Sequence, residues 1–423
     1  MDIIQELLQG ITMPKMVKIS QSFPSSVITN ITETLRQEMS KPAVSEKITP
    51  GKHIAIAVGS RGIAEIVTLV RVTVEELKKR GAIPFIIPAM GSHGGATAAG
   101  QLEVLSNLGI TEATAGCPIK SSMTVVKIGS LPNSLPVYMD EYALAADGIV
   151  VINRIKPHTA FRGACESGMV KMLTIGLGKQ KGAESCHAYG FKYMAENILA
   201  MASMILKQTP VLFGIGTVEN AYDQITTIVA APAEKLIEID QQLQIAAKSN
   251  MASIMFDQID VLVIDRIGKD ISGDGMDPNI TGRYPTSYAS GGPQVSKMVV
   301  LDLTVGTHGN ANGMGTADFT TRRLVNKTDF NVTYANGLTS TVVGPTHIPT
   351  VLNNDFDAIR AAVKTSNAHD LGNLRLIRIK DTLHLGEIYI SQAMLKEAQT
   401  QSNITILSEP MEMQFDSQGN LLD

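Results

Sequence analysis

The chain has 423 residues, enough for two domains that each enclose a hydrophobic core. Its formal net charge of -4, with no basic patch interleaved with aromatic residues, argues against a nucleic-acid partner. No apolar run approaches the roughly 20 residues that a membrane-spanning helix needs, and the first residues lack the pattern of a secretory signal. We therefore expect a cytoplasmic protein with no membrane partner.

The cysteine and aromatic content limits the kinds of cross-link, metal site and hydrophobic core that the chain can form. Cys117, Cys165 and Cys186 are odd in number and form no C-x-x-C pair, which argues against a disulfide framework and a structural zinc site. Tryptophan is absent and aromatic residues make up 4%, so the cores must consist mainly of aliphatic residues and methionine. Cys186 is predicted to be a small buried apolar residue rather than a metal ligand.

Short β-branched runs alternate with helical patterns, which is typical of an α/β fold. The chain from 165 to 207 is predicted to be mostly helical, and a further helix is predicted over 232–249. Thr97 is expected to cap the helix that ends at Gly109. The predicted strands are 53–58, 83–90, 124–128, 148–155, 211–218, 260–267 and 298–304.

These elements predict two α/β domains with a catalytic cleft between them. The N-terminal domain, 1–255, would bind a cofactor and carry out catalysis, and the C-terminal domain, 256–395, would close the cleft. The last segment, 396–423, is predicted to return to the first domain. Two polar, glycine-rich loops follow the strands of the C-terminal domain, and they are interpreted either as substrate-binding or as solvated loops.

Residues with chemically useful side chains follow successive predicted strands. Arg61 lies in GSRG, His93 in GSHGGAT and His158 in KPHTAFRG. Because the carboxyl ends of parallel strands meet at one edge of a sheet, these residues are predicted to share a ligand-binding rim. The alternative is that they are loop residues without chemical importance. A phosphate loop is the alternative interpretation of GSHGGAT, but the segment lacks the G-x-x-x-x-G-K-[ST] pattern.

The stretch 156–187 is unusually rich in basic residues and histidine. Lys171 lies among Met, Val and Leu, so we expect it to be partly desolvated and available for covalent bonding. His187 is a candidate metal ligand through its neutral imidazole. Lys179 and Lys181 are interpreted as solvated loop lysines.

The motifs SRG, GSHGG, KPHTAFRG, SGMVK and PQVSK occur in this order, with a histidine sixteen residues after the lysine of SGMVK. The ordered set resembles the nickel-dependent lactate racemase (LarA-like) family from about residue 50 to 390. The resemblance implies an isomerase, a racemase or epimerase that inverts C2 of a 2-hydroxy acid. Its cofactor would be a nickel-pincer nucleotide, which maturation proteins supply. A recombinant chain made without these proteins is expected to be empty.

The resemblance also implies roles for individual residues. Lys171 would tether the cofactor through a thioamide, and His187 would be the protein ligand of nickel. His93 and His158 would be the acid/base pair on opposite faces of the substrate carbon. One would take the hydroxyl proton while a hydride passes to the cofactor, and the other would supply a proton after hydride returns to the opposite face.

Substrate binding is implied for Arg61, Gln294 and Lys297, which would hold the carboxylate. The sequence departs from the lactate racemase pattern beside this arginine. Where the family has an acidic residue and a proline, this chain has Val58 and Gly62. These departures argue against lactate itself as the substrate, and the two polar loops of the C-terminal domain would suit a longer or more polar hydroxy acid.

Two other functions remain open from the residues alone. The first is a hydrolase or lyase that uses a divalent metal held by some of His93, His158 and His187. The second is a non-catalytic protein that binds a nucleotide or an anion. A covalent mass increase on Lys171 distinguishes the racemase from both alternatives.

Overall fold

The computed structural model describes residues 3–60 and 62–422. The chain divides into two compact units. The central unit is Pro24–Met251, and the terminal unit combines Met1–Phe23 with Ala252–Asp423. Each unit contains a largely parallel sheet with helices, so the predicted α/β class is confirmed.

The strands and helices are numbered in chain order. The strands are β1 Met16–Gln21, β2 His53–Val58, β3 Ile83–Pro88, β4 Val125–Ser130, β5 Pro136–Asp140, β6 Gly148–Arg154, β7 Val211–Glu219, β8 Ile225–Pro232, β9 Gln258–Ile267, β10 Gln294–Leu303, β11 Phe319–Thr321, β12 Thr350–Leu352, β13 Leu376–Ile379, β14 Glu387–Ser391 and β15 Ile404–Ile406. The α-helices are α1 Ile3–Leu8, α2 Ile31–Ser40, α3 Pro42–Ser45, α4 Ile66–Lys79, α5 Ala98–Asn107, α6 Glu112–Ala115, α7 Glu141–Leu144, α8 Met169–Lys171, α9 Lys179–His187, α10 Met194–Gln208, α11 Leu236–Asn250, α12 Pro278–Thr281, α13 Arg322–Lys327, α14 Phe330–Ser340, α15 Asp355–Thr365 and α16 Leu395–Thr400. None of the helices in the described ranges combines the length and the apolar character needed to cross a membrane.

The central unit is built on a five-stranded sheet with the order β3-β2-β6-β7-β8. Its first four strands are parallel, and β8 is antiparallel to β7. Every residue of β2 after His53 is buried, because helices and loops cover both faces of the sheet. The predicted bounds of β2 are confirmed, and β3 ends at Pro88, two residues before its predicted end.

Helices α4 and α5 form where the sequence signals place them. In α4, Ile66, Leu69, Val70 and Leu77 recur at helical spacing and join the core of the central unit. In α5, the predicted cap is confirmed, because the Gly100 N–H donates to the Thr97 hydroxyl at 3.0 Å.

The terminal unit contains an eight-stranded sheet with the order β12-β11-β10-β9-β13-β14-β1-β15. Strands β9 to β13 are parallel, and β14, β1 and β15 are antiparallel to their neighbours. Strand β10 begins at Gln294, four residues before the predicted start. Its first residues alternate between exposed and partly buried, so the apolar run marked only the covered part of the strand.

The observed division of the chain differs from the predicted domains at both termini. Residues 1–23 belong to the terminal unit, because β1 pairs with β14 and β15. The segment 396–423 also packs in the terminal unit, where β15 pairs with β1 and the Phe356 N–H donates to the Gly419 carbonyl. Strand pairing between segments that are distant in sequence produces no local sequence pattern, so the sequence does not predict it.

Candidate active site

Loops from neighbouring strands of the central unit converge on one segment. Because β2 and β3 are parallel, Gly59 after β2 and the GSHGGAT loop after β3 lie at the same edge of the sheet. A Cβ atom at Gly59 would lie 3.0 Å from Met172 Cε, and the Gly91 N–H donates to the Gly176 carbonyl at 3.3 Å. Met172–Gly176 is a π-helical turn directly after Lys171. Such turns are frequent at functional sites.

Lys171, His158 and His187 lie in one cluster with two phenylalanines. The rings of His158 and Phe161 are 4.4 Å apart between centroids, and Phe191 lies 6.1 Å from His158 and 5.5 Å from His187. Burial lowers the pKa of both imidazoles, and the nearby charge of Lys171 lowers each pKa further. Residues that are up to 29 positions apart in sequence therefore share one electrostatic environment.

His187 has the hydrogen bonding expected of an imidazole that binds a metal. Its Nδ1 atom is 2.7 Å from the Ala183 carbonyl oxygen, so Nδ1 carries the proton and Nε2 carries a lone pair. Burial lowers the pKa of His187, which keeps the ring neutral. Metal-binding histidines commonly donate their second ring nitrogen to a carbonyl in this way. In residues 3–60 and 62–422, no three or more His, Cys, Asp or Glu side chains form a group that could hold a metal.

The backbone beside Lys171 is held by a buried carboxylate. Asp240, which is fully buried in α11, accepts a hydrogen bond from the Val170 N–H at 3.1 Å. A Cβ atom at Gly168 would lie 2.5 Å from Asp240 Oδ2, so only glycine allows this approach. Burial raises the pKa of Asp240 to about 6, although hydrogen bonds from Val170 and Cys165 oppose the shift. Lys171 itself is half-buried, as predicted.

The loop that carries His158 is held by another buried carboxylate. Glu166 is 1% exposed and accepts the His158 N–H at 2.8 Å. Its side chain also contacts Lys248 Nζ at 2.6 Å and Arg162 Nη1 at 3.3 Å. These contacts connect the loop to α11 and fix the backbone of His158.

We expect the His158 ring to remain neutral at pH 6, because burial and the charge of Lys171 lower its pKa well below the ordinary value of about 6.5. The Ala160 N–H donates to Nδ1 at 3.0 Å, so the neutral ring carries its proton on Nε2. Below pH 6.5 the ring binds a proton in the unfolded protein but not in the folded protein. Protonation therefore stabilises the unfolded state, and His158 lowers the free energy of unfolding as the pH falls.

Imidazole nitrogen NMR, assigned with a His158→Gln variant, measures the protonation of this ring. The same ring in urea-unfolded protein is the reference. A midpoint in the folded protein equal to that reference would contradict the prediction.

His93 is exposed and its loop is tied to α5. Its Nδ1 atom forms a hydrogen bond with the Ser60 hydroxyl. The Gln101 side-chain amide donates to the carbonyls of Gly91 at 2.9 Å and His93 at 3.2 Å. The backbone that presents this imidazole is therefore fixed, although the ring is open to solvent.

The prediction that Lys179 is a solvated lysine is wrong. Its side chain is fully buried, lies 3.3 Å from the Asp140 carboxylate and donates to Gln101 Oε1 at 3.0 Å and to the Pro88 carbonyl. Other elements supply these polar partners, which replace water around the ammonium group. Lys181 is exposed, as predicted.

The remaining candidate residues lie elsewhere or outside the described ranges. Arg61 is outside the described residues. Gln294 and Lys297 lie at the beginning of β10, in the terminal unit, where Gln294 is exposed and Lys297 is partly buried. In the central unit, the charge of Lys171 acts on the predicted site residues His158 and His187.

The cysteine thiols should be unreactive in the folded protein. Cys117, Cys165 and Cys186 are free and buried, so the predicted burial of Cys186 is confirmed. Burial raises the pKa of Cys117 to about 11 and that of Cys186 to about 12, and it raises the pKa of Cys165 as well. Because the thiolate is the reactive form, we expect no rapid reaction with a disulfide reagent at pH 8. All three should react in denaturant, and rapid labelling of the native protein would contradict this expectation.

Residues 3–197 match the family model described as the lactate racemase N-terminal domain. These residues belong to the lactate racemase N-terminal domain family. The resemblance found in the sequence is thus confirmed for this part of the chain. The matched lactate racemase domain includes the GSHGGAT loop and the whole cluster around Lys171.

One solved structure similar to this chain is the lactate racemase apoprotein from Thermoanaerobacterium thermosaccharolyticum. The two are 15% identical, with a TM-score of 0.47, and the match covers 87% of this chain and 89% of that chain. No curated protein matches the sequence.

Several residues that position the site were missed by the sequence analysis. They are Ser60, Gln101, Glu166, Lys179 and Asp240. Asp240 had a usable signal, because it lies on the same helical face as Leu236, Leu243 and Ala247, which are buried. Glu166 lies in the histidine-bearing stretch, but nothing in its immediate sequence predicts its burial.

Proposed function

We propose that this protein is an isomerase that inverts C2 of a 2-hydroxy acid with a nickel-pincer nucleotide. Membership of the lactate racemase N-terminal domain family supports a racemase or epimerase. The observation that carries the proposal is the cluster of Lys171, His158 and His187, in which a half-buried amine lies near a neutral imidazole with a free lone pair.

In this proposal Lys171 is the covalent attachment point and His187 Nε2 is the protein ligand of nickel. The chemistry of the donor set fits, because His187 Nδ1 is already bonded to a backbone carbonyl and Nε2 is left to bind a metal. When bound, the tethered group would accept the C2 hydride of the substrate and return it. Cofactor-maturation proteins are the partners that would supply it.

His158 and His93 handle the hydroxyl proton in this scheme. Nε2 of neutral His158 carries a proton, so this ring is arranged to donate to an oxygen of the substrate. Ser60 fixes the orientation of His93 through its Nδ1 atom. Two rings are needed because the two enantiomers present their hydroxyl groups on different sides.

Arg61, Gln294 and Lys297 are proposed to hold the substrate carboxylate, since guanidinium and ammonium groups fix both its charge and its orientation. This arrangement requires a cleft between the two units, which stays a prediction. Val58 and Gly62 replace the acidic residue and proline of lactate racemases, so we propose a 2-hydroxy acid other than lactate as the substrate.

The test is co-expression with cofactor-maturation proteins, followed by intact-mass analysis, nickel measurement and a racemisation screen of 2-hydroxy acids. We expect a mass increase on Lys171, nickel in the purified protein and exchange of the C2 configuration. Nickel without an adduct would favour the metal hydrolase or lyase. Absence of both nickel and adduct would favour the binding protein.

The two-base scheme has its own test. His93→Gln and His158→Gln should each retain the adduct but lose turnover. Full racemisation by the double variant would overturn the assignment of the acid/base pair.

A further inference from the structure

The terminal unit contains a pocket that the proposed racemase chemistry does not use. Its volume is about 560 Å³, and residues at the carboxyl ends of β9, β10 and β13 line it. Gln294 and Lys297 lie near the opposite ends of the same strands. Leu303 at the pocket lies six positions after Lys297 along β10, a distance of about 20 Å.

The pocket lies where the strand order of the parallel sheet reverses. From β9 the chain proceeds outward on one side through β10, β11 and β12, and it then returns to pair as β13 on the other side of β9. In open α/β sheets, the crevice outside the carboxyl ends at such a reversal is the usual place for a ligand. The topology therefore marks this pocket independently of its lining.

Ion pairs form the fixed part of the lining. Arg378 is 8% exposed and contacts Asp265 through two nitrogens, at 2.9 and 3.0 Å. Asp302 contacts Lys327 at 2.8 Å and Arg323 at 3.1 Å. These groups satisfy one another, so they shape the pocket and leave other groups to recognise a ligand.

Arg266 and Asp270 are the groups left for a ligand. The side chain of Arg266 is 42% exposed and contacts Asp381 only through Nε, at 3.4 Å. Within the described residues its two terminal nitrogens have no hydrogen-bond partner. Asp270 accepts the Thr304 hydroxyl through Oδ1 at 2.5 Å, and in the same ranges Oδ2 has no partner.

The backbone around Asp270 is shaped to admit its carboxylate. A Cβ atom at Gly268 would lie 2.3 Å from Asp270 Oδ1, and one at Gly306 would lie 2.8 Å from Oδ2. Any other residue at Gly268 or Gly306 would therefore displace this side chain. The glycine-rich loops of the C-terminal half thus create room for a carboxylate at the pocket.

We propose that this pocket binds a small zwitterion, an α-amino acid. The free guanidinium fork of Arg266 matches a carboxylate, and the free oxygen of Asp270 matches an ammonium group. Four Arg and Lys side chains face five Asp side chains in the lining, which favours neither a polyanion nor a polycation. No Phe, Tyr or Trp among the described residues lines the pocket. Exposed Val305 and Leu383 would contact an apolar side chain.

Isothermal titration calorimetry of the full chain with L-alanine and L-glutamate tests the proposal. N-acetyl-L-alanine lacks the ammonium group and L-alaninamide lacks the carboxylate, so both should bind at least about tenfold more weakly than L-alanine. Arg266→Gln and Asp270→Asn should each weaken binding of the amino acid by about tenfold or more. Lys396→Gln, an exposed position in α16 of the same unit and outside the pocket lining, is the matched control and should bind normally.

The proposal is overturned if neither amino acid binds at millimolar concentration. It is also overturned if N-acetyl-L-alanine and L-alaninamide bind as tightly as L-alanine. Unchanged affinity for the amino acid in both pocket variants would have the same consequence. Arg266 and Asp270 lie on the surface of the terminal unit, and circular dichroism establishes that the variants fold. The outcome does not depend on nickel loading, so it is separate from the test of the racemase.

Discussion

Lys171→Ala will carry no covalent adduct after co-expression with cofactor-maturation proteins. In the proposal the Lys171 amine forms the thioamide, and alanine has no amine in its side chain. Loading and turnover should therefore both be lost completely. Lys171→Arg should fail equally, because a guanidinium keeps the positive charge but offers no comparable amine. Intact-mass analysis and nickel content measure the loading directly.

Lys181→Ala is the matched control for this experiment. Lys181 lies in the same basic stretch but is exposed, so its variant should load and turn over like the parent chain. A Lys171→Ala protein with the full adduct mass would disprove the tether. Retained folding, measured by circular dichroism, would show that a loss of loading does not reflect a loss of structure.

Lys179→Met should lower the free energy of unfolding by about 3–5 kcal/mol, because it leaves the buried Asp140 carboxylate without its cation. It should also lower turnover, since Lys179 holds Gln101, and Gln101 holds the backbone of the His93 loop. Urea denaturation measures the stability. The exposed Lys181→Met variant should change it by less than about 0.5 kcal/mol.

A double variant distinguishes a buried charge from lost packing. Lys179→Met with Asp140→Asn removes both charges, so it should be more stable than Lys179→Met alone. An equal or larger loss in the double variant would show that the ammonium group matters mainly through its hydrogen bonds to Pro88 and Gln101. A loss below about 0.5 kcal/mol in Lys179→Met would contradict a stabilising role for the pair.

Local sequence patterns locate several strands and helices and single out the candidate site residues. The apolar run 53–58 became a strand with the same bounds, because a parallel strand covered on both faces needs apolar residues throughout. Thr97 and Gly109 marked the ends of α5, because capping and positive φ are local requirements. The ordered motifs likewise indicated the family before any contact was known.

Which polar residues are buried, and what they contact, depends on segments that are distant in sequence. Lys179 lies 39 residues after Asp140, and Glu166 lies 82 before Lys248, so neither pair has a helical or strand period that a sequence pattern reveals. The same holds for β1, which pairs with strands near the other end of the chain. Periodicity records which face of an element is apolar, whereas burial of a charge depends on partners that other elements bring to it.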